Sequence, residues 1–244
     1  MTTLPADDPV AVALVRAIRD GDVTSLELLL HDRPSLATAR IADERGTSRT
    51  LLHVVADWPG HFPNAARTVA VLAAAGADVD AHVLPAKSSG ATATSLHWGA
   101  SSDDVELIDA LLDAGANIEE PGASFTGGAS MSDAVIFAQW NAARRLLERG
   151  ATTTIWQAAA LGLLDRVQTL VAADGITEQQ ITNAFWHACR GGRRATAEYL
   201  LDRGAQLNWV GHDRKTPYDA ARASGSADLL AWLRARGAKG SKEG

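Results

Sequence analysis

The chain has 244 residues, enough to bury a continuous core. Hydrophobic residues make up 46% and charged residues 21%, with only 8 prolines, values close to globular averages and unlike those of a disordered linker. The formal charge of -6 gives no general attraction to phosphate backbones or anionic lipid, so neither nucleic acid nor a membrane is an expected partner.

The first residues, Met1 to Val10, contain Asp7 and Asp8 and no basic residue, the wrong chemistry for a secretory or mitochondrial presequence. Leu26, Leu29 and Leu30 then follow helical spacing, as do Val69 with Leu72, and Ile108 with Leu111 and Leu112. The longest apolar stretch, Val69 to Ala77, has nine residues, whereas a bilayer span needs about 20. A cytoplasmic protein is the expectation. Cys189 is the sole cysteine, which excludes an intrachain disulfide, and its neighbours read as helix core.

One phrase recurs along the chain: Leu72-Ala-Ala-Ala-Gly-Ala, Leu111-Leu-Asp-Ala-Gly-Ala, Leu146-Leu-Glu-Arg-Gly-Ala, Leu200-Leu-Asp-Arg-Gly-Ala and Leu233-Arg-Ala-Arg-Gly-Ala. Each copy reads as a helix end, with Leu on the packing face and Gly where a left-handed residue stops the helix without a Cβ clash. Shorter helix starts lie between them: Thr50-Leu-Leu-His-Val-Val-Ala, Thr94-Ser-Leu-His-Trp-Gly-Ala and Thr216-Pro-Tyr-Asp-Ala-Ala-Arg. There Thr serves as the cap and small Ala residues let neighbouring helices approach.

A helix, turn, helix, loop unit with a Thr-x-Leu-His opening resembles the ankyrin-repeat family, whose period is about 33 residues. The resemblance implies an all-α fold, an ankyrin-repeat α-solenoid of about seven units at roughly 8–42, 43–81, 82–120, 121–152, 153–179, 180–210 and 211–239. The division of the long stretch between Gly150 and Gly204 is placed at Asp174-Gly175, and residues 240–244 read as a flexible tail. On this reading 1–239 is a single domain. No unit of two helices can bury its apolar face alone, so each depends on its neighbours.

The connections are uneven. His82 to Ala93, with Pro85, Ser88, Ser89 and Gly90, and Glu119 to Ser130, with Pro121 and Gly127-Gly128, exceed an ordinary finger, whereas Ala151 to Thr154 is almost no finger at all. Insertions in repeat proteins map to one face, often the binding face, and long fingers beside missing ones predict a hooded cavity. Aligning the first helices on their small Ala pair puts Arg16, Val54, Trp98, Asp133, Gln157, His187 and Ala220 at one position. Residues three and four further on share that face and bring in Arg19, Asp57, Trp58, Phe137 and Arg190. In ankyrin-like stacks this face looks into the concave groove. Trp58, Trp98, Asp133, Phe137, Gln157, His187, Arg190, Trp209 and His212 are therefore the candidate binding residues, Trp209 and His212 from a finger. Trp156 and Trp186 fall where ankyrin repeats carry their buried His and are read as structural, and Trp232 as core of the last outer helix.

His53 and His97 occupy equivalent places in neighbouring units, roughly 10 Å apart by ordinary helix packing, too far to share a zinc ion. They read as structural histidines, and neither a metal nor a cofactor is expected. The sequence has no His-Glu-x-x-His, no Gly-x-Ser-x-Gly and no phosphate-binding glycine loop. The leading expectation is a binding module that recognises a protein partner through its groove and fingers. The alternative is a small-molecule site or an acid-base enzyme without a linear motif, with Asp133 and His187 as the catalytic pair beside Trp98.

Overall fold

A computed structural model describes residues 2–85, 92–173 and 175–242 of the chain. Its helices come in pairs: α1 (Pro9–Asp20) with α2 (Val23–Asp32), α3 (Leu51–Val55) with α4 (Ala65–Ala74), α5 (Ser95–Ser101) with α6 (Val105–Asp113), α7 (Ser130–Ile136) with α8 (Trp140–Glu148), α9 (Ile155–Leu161) with α10 (Leu164–Ala172), α11 (Glu178–Arg190) with α12 (Arg194–Asp202), and α13 (Pro217–Ser224) with α14 (Ala227–Ala235). Among the described residues no helix is long and apolar enough to cross a membrane.

The chain divides into two compact units, Met1–Thr152 and Thr153–Gly244. In the first, α1, α3, α5 and α7 pack in succession, and α2, α4, α6 and α8 form a second row behind them. In the second, α11 packs between α9 and α13 while α10 meets α12. This is the ankyrin-type arrangement, in which the first helices of successive pairs make one row and the second helices another.

Sequence explains the repeat at two points. The glycine of the recurring phrase adopts φ of 93°, 98°, 97°, 96° and 88° at Gly76, Gly115, Gly150, Gly204 and Gly237. The next residue closes the helix end each time: the N–H groups of Ala77, Ala116, Ala151, Ala205 and Ala238 donate to Leu72, Leu111, Leu146, Leu200 and Leu233 over 2.9–3.1 Å. Those five leucines are fully buried, so a backbone stop and a core anchor are specified together.

The second point is the Thr-x-x-His box. Nδ1 of His53 accepts from the Thr50 backbone N–H at 3.3 Å and hydroxyl at 2.8 Å, while the Nε2–H donates to the Ala93 carbonyl at 3.0 Å. His97 does the same with Thr94 and the Gly128 carbonyl. Ala93 and Gly128 immediately precede the caps of the next first helices, Thr94 and Ala129. One imidazole thus caps its own helix and ties it to the next pair. In the second unit Thr154–Gln157, Thr177–Gln180 and Thr216–Asp219 keep the box. There the indole of Trp186 makes the tie, its N–H donating to Lys215, the residue before the Thr216 cap, at 3.0 Å.

A small sheet is added to the all-helical plan at the start of the first unit. Strand β1 (Thr3–Pro5) pairs in parallel with β2 (Arg40–Ala42), which pairs antiparallel with β3 (Ser48–Thr50). Buried Arg40 secures it by donating to the carbonyls of Ser48 and His82. Between α2 and the sheet, Pro34–Thr38 form a 3-10 turn. Of the finger His82 to Ala93, residues 86–91, including Ser88, Ser89 and Gly90, lie outside the described residues, as does Asp174. At the tail Gly240 is buried and the Ser241 N–H donates to the Asp219 carboxylate at 2.8 Å, while 243 and 244 lie outside the described residues. Cys189 is fully buried in the core of the second unit with Phe185, and burial pushes its thiol pKa up.

Burial holds the His53 pKa down to about 4 from its usual 6.5. A histidine kept neutral in the fold lends stability that is complete above pH 6.5 and is lost as pH falls toward 4. His53→Gln retains a cap acceptor but gives up the tie to Ala93. We expect it to cost about 1–3 kcal/mol at pH 8 and to flatten the loss of stability between pH 6.5 and 4, as read by urea unfolding at each pH; an unchanged slope would contradict this role.

Candidate functional site

Fourth-pair residues build the site of the first unit. The finger ahead of α7 folds on itself, with the Ala123 N–H donating to Gly128 at 2.8 Å and the Gly127 N–H to Ala123 at 2.9 Å, and then lies along α7. Its Ser124 N–H donates to the Asp133 carboxylate at 3.1 Å. One helical turn further on, the Phe125 ring sits 5.9 Å from that of Phe137. Asp133 is 1% exposed beneath this finger, whereas Phe125 is 73% and Phe137 42% exposed. An aromatic pair facing solvent is therefore mounted over a buried acid.

Burial dominates the acid's electrostatics. It pushes the Asp133 pKa from 3.8 up to about 6, against the opposing pull of the Ser124 N–H. A buried carboxylate raised this far destabilises the fold when ionised.

The other candidates of the first unit separate. Trp98, half-buried on α5, sets its ring against His53 at 5.0 Å and 79° and is part of the packing between α3 and α5. Trp58 is 84% exposed but does not lie on a helix face: α3 ends at Val55, so Trp58 falls in the turn toward α4. Asp57 is engaged by Arg19 and Arg49, each at 2.8 Å. The mixed charge read along the stripe at Arg19 and Asp57 is an ion pair within the scaffold.

Four of the five candidates in the second unit gather in one place. His187, 5% exposed on α11, has ring neighbours Trp156 at 4.7 Å, Trp186 at 5.0 Å and His212 at 5.5 Å. His212 in turn meets Trp186 at 5.2 Å and Trp209 at 6.0 Å, and its Nε2 lies 2.9 Å from the Asn183 side-chain oxygen. The Arg190 guanidinium stands 6.0 Å from the Trp186 ring. Nδ1 of His187 has no hydrogen-bond partner among the described residues, and burial, reinforced by His212 and Arg190, holds its pKa down to about 3. Asp133 belongs to the first unit and His187 to the second.

Gln157, the fifth candidate, is not on the open stripe. Its Oε1 accepts from the Thr154 N–H at 2.7 Å and hydroxyl at 2.9 Å, so it holds the box position and Ala158 takes the next one. Accordingly Trp156 sits one residue before the box position, while Trp186 does the tying work of the histidine. The sequence reading missed Phe125, whose signal was an aromatic residue between glycines in the longer finger. Among the described residues no cluster of three or more His, Cys, Asp or Glu is placed to hold a metal.

Helix pairs, boxes and left-handed stops define the class as an ankyrin-type repeat protein. No protein-family model matches the sequence, and no curated protein does. Among solved structures, the human ASB11 ankyrin repeat domain is similar over 59% of this chain and 69% of that one, at 22% identity and a TM-score of 0.34. At that degree of superposition the likeness adds nothing to the helix-pair geometry, which carries the ankyrin-type reading by itself.

A carboxyl raised in the fold weakens it as pH climbs from 3.8 through 6, and the penalty is constant above that; two pKa units correspond to about 3 kcal/mol at most. Asp133→Asn, which keeps an acceptor for Ser124, should therefore raise the melting temperature by several degrees at pH 8 and by much less at pH 4. Thermal unfolding at both pH values checks this, and a destabilised Asn variant at pH 8 would show that the charge is structural.

Proposed function

We propose that the chain is a binding module that recognises a protein partner through the finger at 119–130 and the first helix of the fourth pair. The observation that supports this is the exposed Phe125–Phe137 pair above Asp133. Two aromatic rings offer a large contact area with little side-chain entropy to lose, the composition of interface anchors. A carboxylate held at a cost beneath them gains most from a partner that brings a positive charge, because pairing relieves the desolvation that the fold leaves uncompensated. The partner segment this arrangement fits carries an apolar or aromatic side chain next to Lys or Arg. The net charge of -6 favours encounter with such a segment.

Recognition by this surface requires neither an enzyme mechanism nor a cofactor. Trp58, which projects from a different connection, is a secondary contact in this reading, and Trp98, packed on His53, serves the scaffold.

Selection of a random peptide library on the full chain tests the proposal. Enriched peptides should combine a basic with an apolar residue, and Phe125→Ala/Phe137→Ala should weaken them at least tenfold while its melting temperature stays near that of the wild type. Asp133→Asn should weaken peptides with Lys or Arg more than their norleucine analogues. Peptides that bind the double variant as well as the wild type would refute the assignment.

A further inference from the structure

We propose that the second unit holds a separate binding site for a small carboxylate attached to a flat apolar ring, built by His187 and Arg190 with Trp156, Trp209 and His212. Three independent features point to it. The first is the His187 imidazole: its Nδ1 is buried, more than nine-tenths of the residue is inaccessible, and no hydrogen-bond partner is present among the described residues. Leaving such a group unsatisfied costs about 1–3 kcal/mol, and an incoming acceptor for an Nδ1–H removes that cost.

The sign of the local field is the second feature. Among the described residues, the ionisable groups that act on His187 are His212 and Arg190, both basic. Asp213 acts on Arg190 and also lies 3.7 Å from Lys215. A buried nitrogen in a basic surround suits an anion, and the planar guanidinium suits a carboxylate in particular.

Construction of the finger is the third. Gly211 has φ of -100° and ψ of -134°, outside the regions that residues with a Cβ favour. A Cβ there would lie 2.3 Å from the Trp209 ring, so the missing side chain is what seats the indole. Two residues later Asp213 and Arg214 both adopt positive φ, 54° and 56°, a conformation costly for residues other than glycine. The finger accepts that strain while His212 is held against Asn183 and the Trp186 ring. Trp156, 4.7 Å from His187, and Trp209, 6.0 Å from His212, add aromatic surface to this basic centre and suit an apolar ring on the ligand. Of the rings packed on His187, Trp156 is half-buried and His212 exposed, so the cluster reaches solvent on their side.

This site is independent of the peptide surface of the first unit, and its test does not depend on that reading. Saturation-transfer NMR and calorimetry on the full chain would use phenylacetate and indole-3-acetate, each against its neutral amide, together with acetyl-Gly-Gly-Phe bearing a free or an amidated C-terminus. Carboxylates should bind at least tenfold more tightly than the amides, and Arg190→Gln and His187→Phe should each weaken them at least tenfold. A preference for the free tripeptide would identify the natural source as a chain end, and a preference for the acetates as a free metabolite; both support the site. Equal binding of acid and amide, or no binding of any acid at millimolar concentration, overturns it. Should either variant fail to fold, the acid-to-amide comparison on the wild-type chain decides.

Discussion

The hydrogen bond that leaves one repeat and ends on the carbonyl just before the next cap is the constraint on which the described fold depends. A pair of short helices, five to thirteen residues each, cannot hold itself together by backbone bonds and propensity. The tie from His53 to Ala93 and that from His97 to Gly128 fix where the following helix begins and how its first turn is oriented. The first is buried and the second partly buried, and both are costly to break. Core leucines such as Leu72, Leu111 and Leu146 supply most of the burial, but they are interchangeable in a way that these directed bonds are not.

Within that frame, two buried ionisable groups bear on the candidate surfaces. Asp133 is a buried acid beneath its own finger, and His187 a buried base without a partner for Nδ1. Each lies beside aromatic rings that reach solvent, and each belongs to a first helix preceded by or packed against a distinctive finger. Natural folds retain such costs where function requires them. The two centres have opposite electrostatic character: an acid that favours a cation in the first unit, and a basic cluster that favours an anion in the second.

Repeat identity was legible where the bond-forming residue was the familiar one. Thr50-x-x-His53 and Thr94-x-x-His97 gave the box, and the Gly-Ala phrase gave five helix ends. Register slipped in the second unit for a definite reason. In the first unit one imidazole performs both tasks, capping and tying, so one residue marks the position. In the second, Gln180 caps α11 while Trp186, nearly two turns later, makes the tie, and the helix runs from Glu178 rather than from 180 onward. A search for a single marker residue therefore placed Trp156 in the cap position that Gln157 fills. Phe125 was hidden differently: a loop aromatic has no periodicity from which to infer the face it covers. The sequence placed His187 and Arg190 on one helix face and Trp209 and His212 in a finger, but nothing in the pattern brought the finger onto that face.

The exchange of imidazole for indole at the tie has a consequence of its own. An indole N–H neither gains nor loses a proton in the physiological range, whereas an imidazole tie fails once it is charged at both nitrogens and must surrender the Thr hydroxyl that it accepts from. The hinge at Trp186 is thus indifferent to acid. Acid strong enough to charge His53, near pH 4, would loosen the junction at Thr50 while leaving the one before Thr216 fastened, so that the recognition proposed for the first unit would be conditional on its surroundings and the ligand capture proposed for the second would not inherit that condition from its tie.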